Sequence, residues 1–394
     1  MRKLAFISLL VLISINLSAQ PDKIYHSFEQ ALKRPEQVYH LDLSNQKLEK
    51  VPEDIDKLRH LQTLNLDSNR LTSLPGNIDK LSDLKILSLK ANHFDQFPEC
   101  ISRQTFGEKL LFWDIRKLVH LRKLNLSHNQ LSRIPRSIES LEDLKVLMLS
   151  GNELQQLPQT LTDLKTLEKV DLGSNNFRDM PELLASLPRL RFLDLGHNVI
   201  DTIPPYMGQM TGLDTLSLYK NHIAHLPQEI SNLKGLKVLY LGNNNLHVLP
   251  TGLGEMNHLE RLYLSNNHLR ELPESFGELK ELKFLALVEN DFRQIPASLL
   301  SLAQLEELYV EDNQIEHLDP AITRLTDLKR LDLEGNELST LPEVFYHLDS
   351  LTHLDLSSSS LEHLPESFAR LKNLTYLDLG YNGMNEVPAA ICGL

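Results

Sequence analysis

The 394-residue chain is 41% hydrophobic but only 6% aromatic, and 85 of its residues are leucine, so leucine rather than aromatic or β-branched bulk must build the core. The formal charge of −13 excludes the counterion-release binding by which basic proteins hold DNA or anionic lipid, and nucleic acid is not expected as a partner. Two cysteines, Cys100 and Cys392, are too few for a disulfide framework, and no Cys/His cluster has the spacing of a zinc site.

Met1-Arg2-Lys3, an apolar run from Leu4 to Ile15 and then Ser18-Ala19-Gln20 have the basic start, apolar middle and small-residue end of a secretory signal peptide, read here as residues 1–19. About a dozen apolar residues are too few to cross roughly 30 Å of hydrocarbon as a helix, so no membrane span is expected. Residues 20–37 follow as an N-terminal cap. Ser27 and Gln30 have capping-box spacing ahead of Arg34-Pro35, which predicts a short helix over Ser27 to Lys33 that covers the edge of the region behind it.

From residue 38 to residue 394 one unit recurs. Leu61, Leu64, Leu66, Asn69 and Leu71 are repeated 23 residues later as Leu84, Leu87, Leu89, Asn92 and Phe94. Counting Leu61 as position one, position six recurs fifteen times between Leu43 and Leu379, in steps of 23 broken once by a step of 37. Positions four and six alternate with polar neighbours, the period-2 signature of a short strand with one buried face. Asparagine at position nine sits where the chain must turn away from the sheet, and its amide can both donate to and accept from main-chain groups there. Fourteen of the 19 prolines stand at a single place in the unit, from Pro52 to Pro388, where a fixed φ opens the return segment. A unit this short buries too little apolar surface to offset the ordering of its own backbone, so neighbouring units must share a core.

The spacing resembles the leucine-rich-repeat family over residues 38–394, about 15 repeats, and Leu74-Pro75 with Ile78 and Leu81 is similar to its LPxxIxxL form. The resemblance implies an α/β solenoid, a leucine-rich-repeat horseshoe with a parallel concave sheet and short convex helices or turns. Fifteen strands about 4.8 Å apart would make a concave face on the order of 70 Å long. This form occurs in secreted bacterial proteins, plant disease-resistance proteins and Ras-suppressor-like scaffolds, so the subtype does not choose a function.

Four irregularities stand out. Gln46 and Ser359 replace the position-nine asparagine, and Ser359 is too short to reach as far, which predicts a looser coil. The 37-residue step carries an insertion near 102–114 that includes the only tryptophan, Trp113, read as an enlarged convex helix, with a protruding contact site as the alternative. The chain stops at Leu394, two residues short of a complete unit, which predicts an uncapped coil through which copies could self-associate.

No phosphate-binding loop, nucleophile elbow, HExxH or calcium loop is present, and neither a cofactor nor a metal is expected. His353 with Asp332 and Asp355 is read as solvent-facing variation, on the expectation that an open concave surface does not perturb a carboxylate strongly. The informative variation lies at positions three, five and seven, whose side chains leave the concave face. Early and late coils carry Asp171, Asp194, Asp332, Asp355 and Asp378 there, whereas the middle carries Phe192, Tyr219, Tyr240, Tyr263, Phe284 and Tyr309, with Arg261 among them. Tyrosine offers large amphipathic area at low entropy cost, so these seven are the expected partner-binding residues. The expectation is a non-enzymatic, secreted or cell-surface scaffold whose concave face binds a protein, with a glycan as the alternative ligand. A self-assembling adhesive or structural protein and an intracellular-type signalling scaffold are the competing readings.

Overall fold

The computed structural model describes residues 22–98, 101 and 118–394. Its strands form one parallel sheet of sixteen in strict chain order, each three residues long except the first. Fifteen of them are positions three to five of the repeats, from β2 (His40–Asp42) to β16 (Tyr376–Asp378). The sixteenth is new. β1 (Ile24–Tyr25) pairs with β2, placing Tyr25 opposite Leu41. Two residues are too short to show a period, which is why the sequence hid this strand. The expected cap helix is present as α1 (Phe28–Leu32), and the Ser27 hydroxyl accepts from the backbone N–H of Gln30.

Among the described residues the convex side is made of 3-10 turns rather than α-helices. Most are five residues long and follow the repeat proline, as in Gly76–Lys80 after Pro75. Where the proline is missing, Asp319 starts the turn and accepts from the Ala321 N–H. Leucines at positions one, four and six are fully buried through the middle coils, one continuous core that no single coil could enclose. In the last coil Leu374, Leu377 and Leu379 are only partly buried. Register survives the 37-residue step, since Ile86 of β4 (Ile86–Ser88) lies opposite Lys123 of β5 (Lys123–Asn125). Residues 1–19, read above as a signal peptide, and the insertion at 102–114 with Trp113 lie outside the described residues.

The asparagine ladder explains why the turn residue is so constant. Asn244 Nδ2 donates to Leu218 O at 3.0 Å in the preceding coil and to Leu241 O at 2.9 Å in its own, while its Oδ1 accepts from Ile223 N at 3.1 Å. One buried side chain thus satisfies main-chain groups of two coils. The residue before it takes a left-handed φ in all fifteen coils, and only Gly151 and Gly335 are glycines there. Gln46 uses its extra length to bond His26 O at 2.9 Å, tying the first coil to the N-terminal unit. Ser359 Oγ is enclosed without a partner, the defect its shortness predicts.

Candidate functional site

On the concave face, position five has two distinct uses. In eight coils it is Asp or Asn, and its Oδ1 accepts from the backbone N–H two residues on, from Asp42 with Ser44 at 2.9 Å to Asp378 with Gly380 at 2.8 Å. That bond holds the chain as it leaves the strand. Of the seven coils without it, four carry Ser88, Met148, Ser217 and Ala286 there, and three carry Tyr240, Tyr263 and Tyr309, which fall within four successive coils.

These rings form one row. Tyr240 of β10 (Val238–Tyr240) and Tyr263 of β11 (Arg261–Tyr263) lie directly opposite in register, and their rings stack with centroids 4.5 Å apart at 17°. In β12 (Phe284–Ala286) the residue opposite Tyr263 is Ala286, and the space it leaves lets Tyr263 meet Phe284 diagonally at 4.7 Å. Phe284 in turn meets Tyr309 of β13 (Glu307–Tyr309) at 5.3 Å. The row therefore crosses four coils, each ring half-buried against the next.

Arg261 organises its centre. Its Nε donates to the Tyr263 hydroxyl at 3.0 Å while its guanidinium lies 4.2 Å from the Phe284 centroid, a cation–π seat that also fixes the tyrosine. At the far end Arg330 stands 5.6 Å from the Tyr309 centroid, and the Tyr309 hydroxyl donates to Glu307 at 2.9 Å. Burial, together with that carboxylate, pushes the Tyr309 phenol up to about 12, so it remains a donor at neutral pH.

Two predicted residues stand apart. Phe192 of β8 (Phe192–Asp194) lies opposite Thr215, which lies opposite Val238, so no ring bridges it to Tyr240; it packs instead under Lys169 Nζ at 3.8 Å. Tyr219 leaves the sheet one turn later, contacts His197 at 5.3 Å and is 36% exposed. The structure brings together Tyr240, Arg261, Tyr263, Phe284 and Tyr309, with Phe192 and Tyr219 on the N-terminal flank.

One expectation fails. Glu311, at position seven just beyond Tyr309, is pushed up to about 8 by burial, with Asp332 and Asp312 nearby adding to the shift. Its Oε2 is enclosed without a partner, and burial likewise raises Asp332. The face is open as a whole, yet between adjacent coils side chains are close enough to exclude water from a carboxylate. His353, in contrast, stacks on Tyr376 at 5.9 Å and bonds Thr352, with no ion pair to Asp332 or Asp355. No group of three or more His, Cys, Asp or Glu among the described residues could hold a metal ion.

A further regularity escaped the sequence reading. Position two, along one edge of the sheet, alternates in sign from Lys145 through Glu168, Arg191, Asp214, Lys237, Glu260, Lys283 and Glu306 to Lys329. Neighbours pair along it, as Lys145 with Glu168 at 2.7 Å, Arg191 with Asp214 at 3.1 Å and Lys329 with Glu306 at 2.6 Å. The signal was a sign alternation at period 23, visible only after the units are stacked.

Comparison with known proteins agrees with this architecture. Family profiles described as leucine rich repeat match residues 36–94, 115–154, 303–361 and 339–384, a leucine-rich repeat region profile matches 171–268, and a further repeat matches 258–279. A leucine-rich-repeat protein of Leptospira interrogans is 34% identical with a TM-score of 0.83, covering 92% of this chain and 95% of that one. A plant peptide hormone receptor, RGFR1 in complex with RGF2, is 28% identical with a TM-score of 0.66, covering 82% of this chain and 52% of the receptor chain. YopM of Yersinia enterocolitica is 28% identical with a TM-score of 0.61, covering 91% of this chain and 68% of its own. No curated protein gives a significant match.

Proposed function

The chain belongs to the leucine-rich-repeat family, and from that premise we propose that it is a non-enzymatic scaffold that binds a protein partner on its concave face, through Tyr240, Arg261, Tyr263, Phe284 and Tyr309, with Phe192 and Tyr219 at the margin. The observation that carries this is the substitution at position five. A preference of tyrosine for strands would scatter it among the coils. Instead it stands, in three of four successive coils, where eight other coils carry the Asp or Asn that holds the strand exit, and its rings join with Phe284 into a row seated on an arginine. Rigid aromatic side chains beside an arginine are the composition of binding hot spots. The plant peptide hormone receptor in complex with RGF2 supports the use of such a solenoid for peptide or protein ligands.

We place the protein outside the cytoplasm, at the cell surface or secreted, on the strength of the N-terminal segment 1–19. No helix among the described residues is long and apolar enough to cross a membrane. The test is affinity capture from surface and secreted fractions with the intact protein and with Tyr240→Ala/Tyr263→Ala side by side. A protein held by the first and bound at least tenfold more weakly by the second supports the reading, and equal retention by both refutes it.

A further inference from the structure

Resting on the reading of the aromatic row as a docking surface, we infer that the partner presents an extended segment in which an aromatic or large apolar side chain is followed on the same face by lysine or arginine. The row supplies the apolar seat, and the coils just beyond it supply the charge complement. Tyr309 is directly opposite Asp332 of β14 (Arg330–Asp332), which is opposite Asp355 of β15 (His353–Asp355), which is opposite Asp378. The last ring of the row is thus one strand spacing, about 4.8 Å, from the first of three aligned carboxylates. Glu311, which keeps its proton up to about 8 and shares a side-chain hydrogen bond with Asp332, adds no charge to the three at neutral pH.

The contrast with the sheet edge is what gives these acids meaning. At position two Glu168, Asp214, Glu260 and Glu306 are each matched by a lysine or arginine from an adjacent coil. Among the described residues Asp332, Asp355 and Asp378 enter no ion pair, although Arg330 is close by; it is drawn over the Tyr309 ring instead. The aspartates spend Oδ1 on the strand exit; Asp355 Oδ2 lies 3.5 Å from the Tyr376 hydroxyl, and Asp332 shares a side-chain hydrogen bond with Glu311. A cation from outside would complete this surface, and like charge there would be repelled.

The spacing follows from geometry. An extended segment places residues i and i+2 on one face roughly 6.6 Å apart, which takes a basic side chain from the last ring to the first or second carboxylate. A second basic residue at i+4 would reach Asp378. The segment required is therefore aromatic, any residue, basic, with a further basic residue two positions on strengthening it.

A random dodecamer library displayed on phage tests this with the purified full chain as bait. Enriched peptides are expected to carry the aromatic-x-basic pattern. Synthetic copies should bind Asp332→Asn/Asp355→Asn at least tenfold more weakly, and should lose a similar factor when their basic residue becomes norleucine. Asparagine keeps the strand-exit bond, as Asn65 and Asn125 show, so these variants retain the fold. Peptides that require Tyr263 yet are indifferent to Asp332→Asn/Asp355→Asn, or that carry acidic residues in that place, overturn the inference and leave the docking surface standing. Peptides indifferent to Tyr263→Ala, or a library that yields none, overturn both.

Discussion

Replacing Ser359 by asparagine should stabilise the protein, because every acceptor and donor for the new side chain is already in place. In the preceding coil Asn336 Nδ2 donates to Val310 O and Leu333 O, both at 2.9 Å, and its Oδ1 accepts from Ile315 N at 3.0 Å. The same offsets from residue 359 lead to Leu333 O, Leu356 O and Leu338 N. The backbone needs no adjustment, since Ser358 has the left-handed φ of 53° found at that place in every coil. Three net hydrogen bonds at about 1 kcal/mol each, the relief of the enclosed serine oxygen and a small loss of side-chain entropy together give about 2–4 kcal/mol. A solenoid can open from its ends, so the gain is read best by native-state hydrogen exchange. The Leu338 amide should become several-fold more protected, and the melting temperature should rise by a few degrees. Ser359→Ala separates the causes, as it removes the stranded hydroxyl without building the ladder and should gain less than about 1 kcal/mol. If Ser359→Asn leaves Leu338 exchange and the melting temperature where they are, the buried amide ladder is not what couples adjacent coils.

Two further perturbations follow from the same packing. Glu311 holds its proton up to about 8 when folded, against an ordinary value of 4.5. Between those values the unfolded chain has released the proton and the folded one has not, so stability falls as pH rises through this window. Glu311→Gln should therefore match the parent at pH 4 and exceed it in urea melts at pH 7.5; parallel curves across the range would refute the assignment. On the convex side a Cβ at Gly254 would run into the Ser275 carbonyl oxygen, whereas one at Gly76 would meet nothing within 4 Å. Gly254→Ala should cost about 3 kcal/mol and Gly76→Ala should be neutral or slightly stabilising, measured by urea unfolding. Equal effects would mean that the 3-10 turns are not closely stacked there.

The repeat was legible because each of its rules leaves a fixed residue at a fixed place in the unit. Leucines at positions one, four and six, the turn asparagine and the repeat proline are choices made in nearly every coil, and the sheet, the ladder and the consequence of Ser359 followed from them. β1 was not legible, because Ile24–Tyr25 is a strand only by pairing with β2. The convex segments read as helices or turns on composition; proline at the start and a buried residue at the centre leave room for one 3-10 turn and no more. Of the candidate site, the residue types and their face were readable and their contacts were not. Phe192 and Tyr263 look equivalent in the sequence, yet the small Ala286 beside Tyr263 opens the diagonal to Phe284, and Thr215 beside Phe192 offers no ring. Glu311 was missed for a related reason, since its burial comes from neighbours in adjacent coils.

The central claim is that the aromatic row is where a partner binds, and the affinity of the captured partner for matched variants tests it most directly. Titration of the intact protein, Tyr240→Ala/Tyr263→Ala and Tyr381→Ala provides the comparison, Tyr381 being 91% exposed and remote from the row. The account predicts that the double variant binds at least tenfold more weakly with its melting temperature lowered by no more than a few degrees, and that Tyr381→Ala binds as the parent does. Parental affinity in the double variant, or an equal loss in all variants, would contradict it.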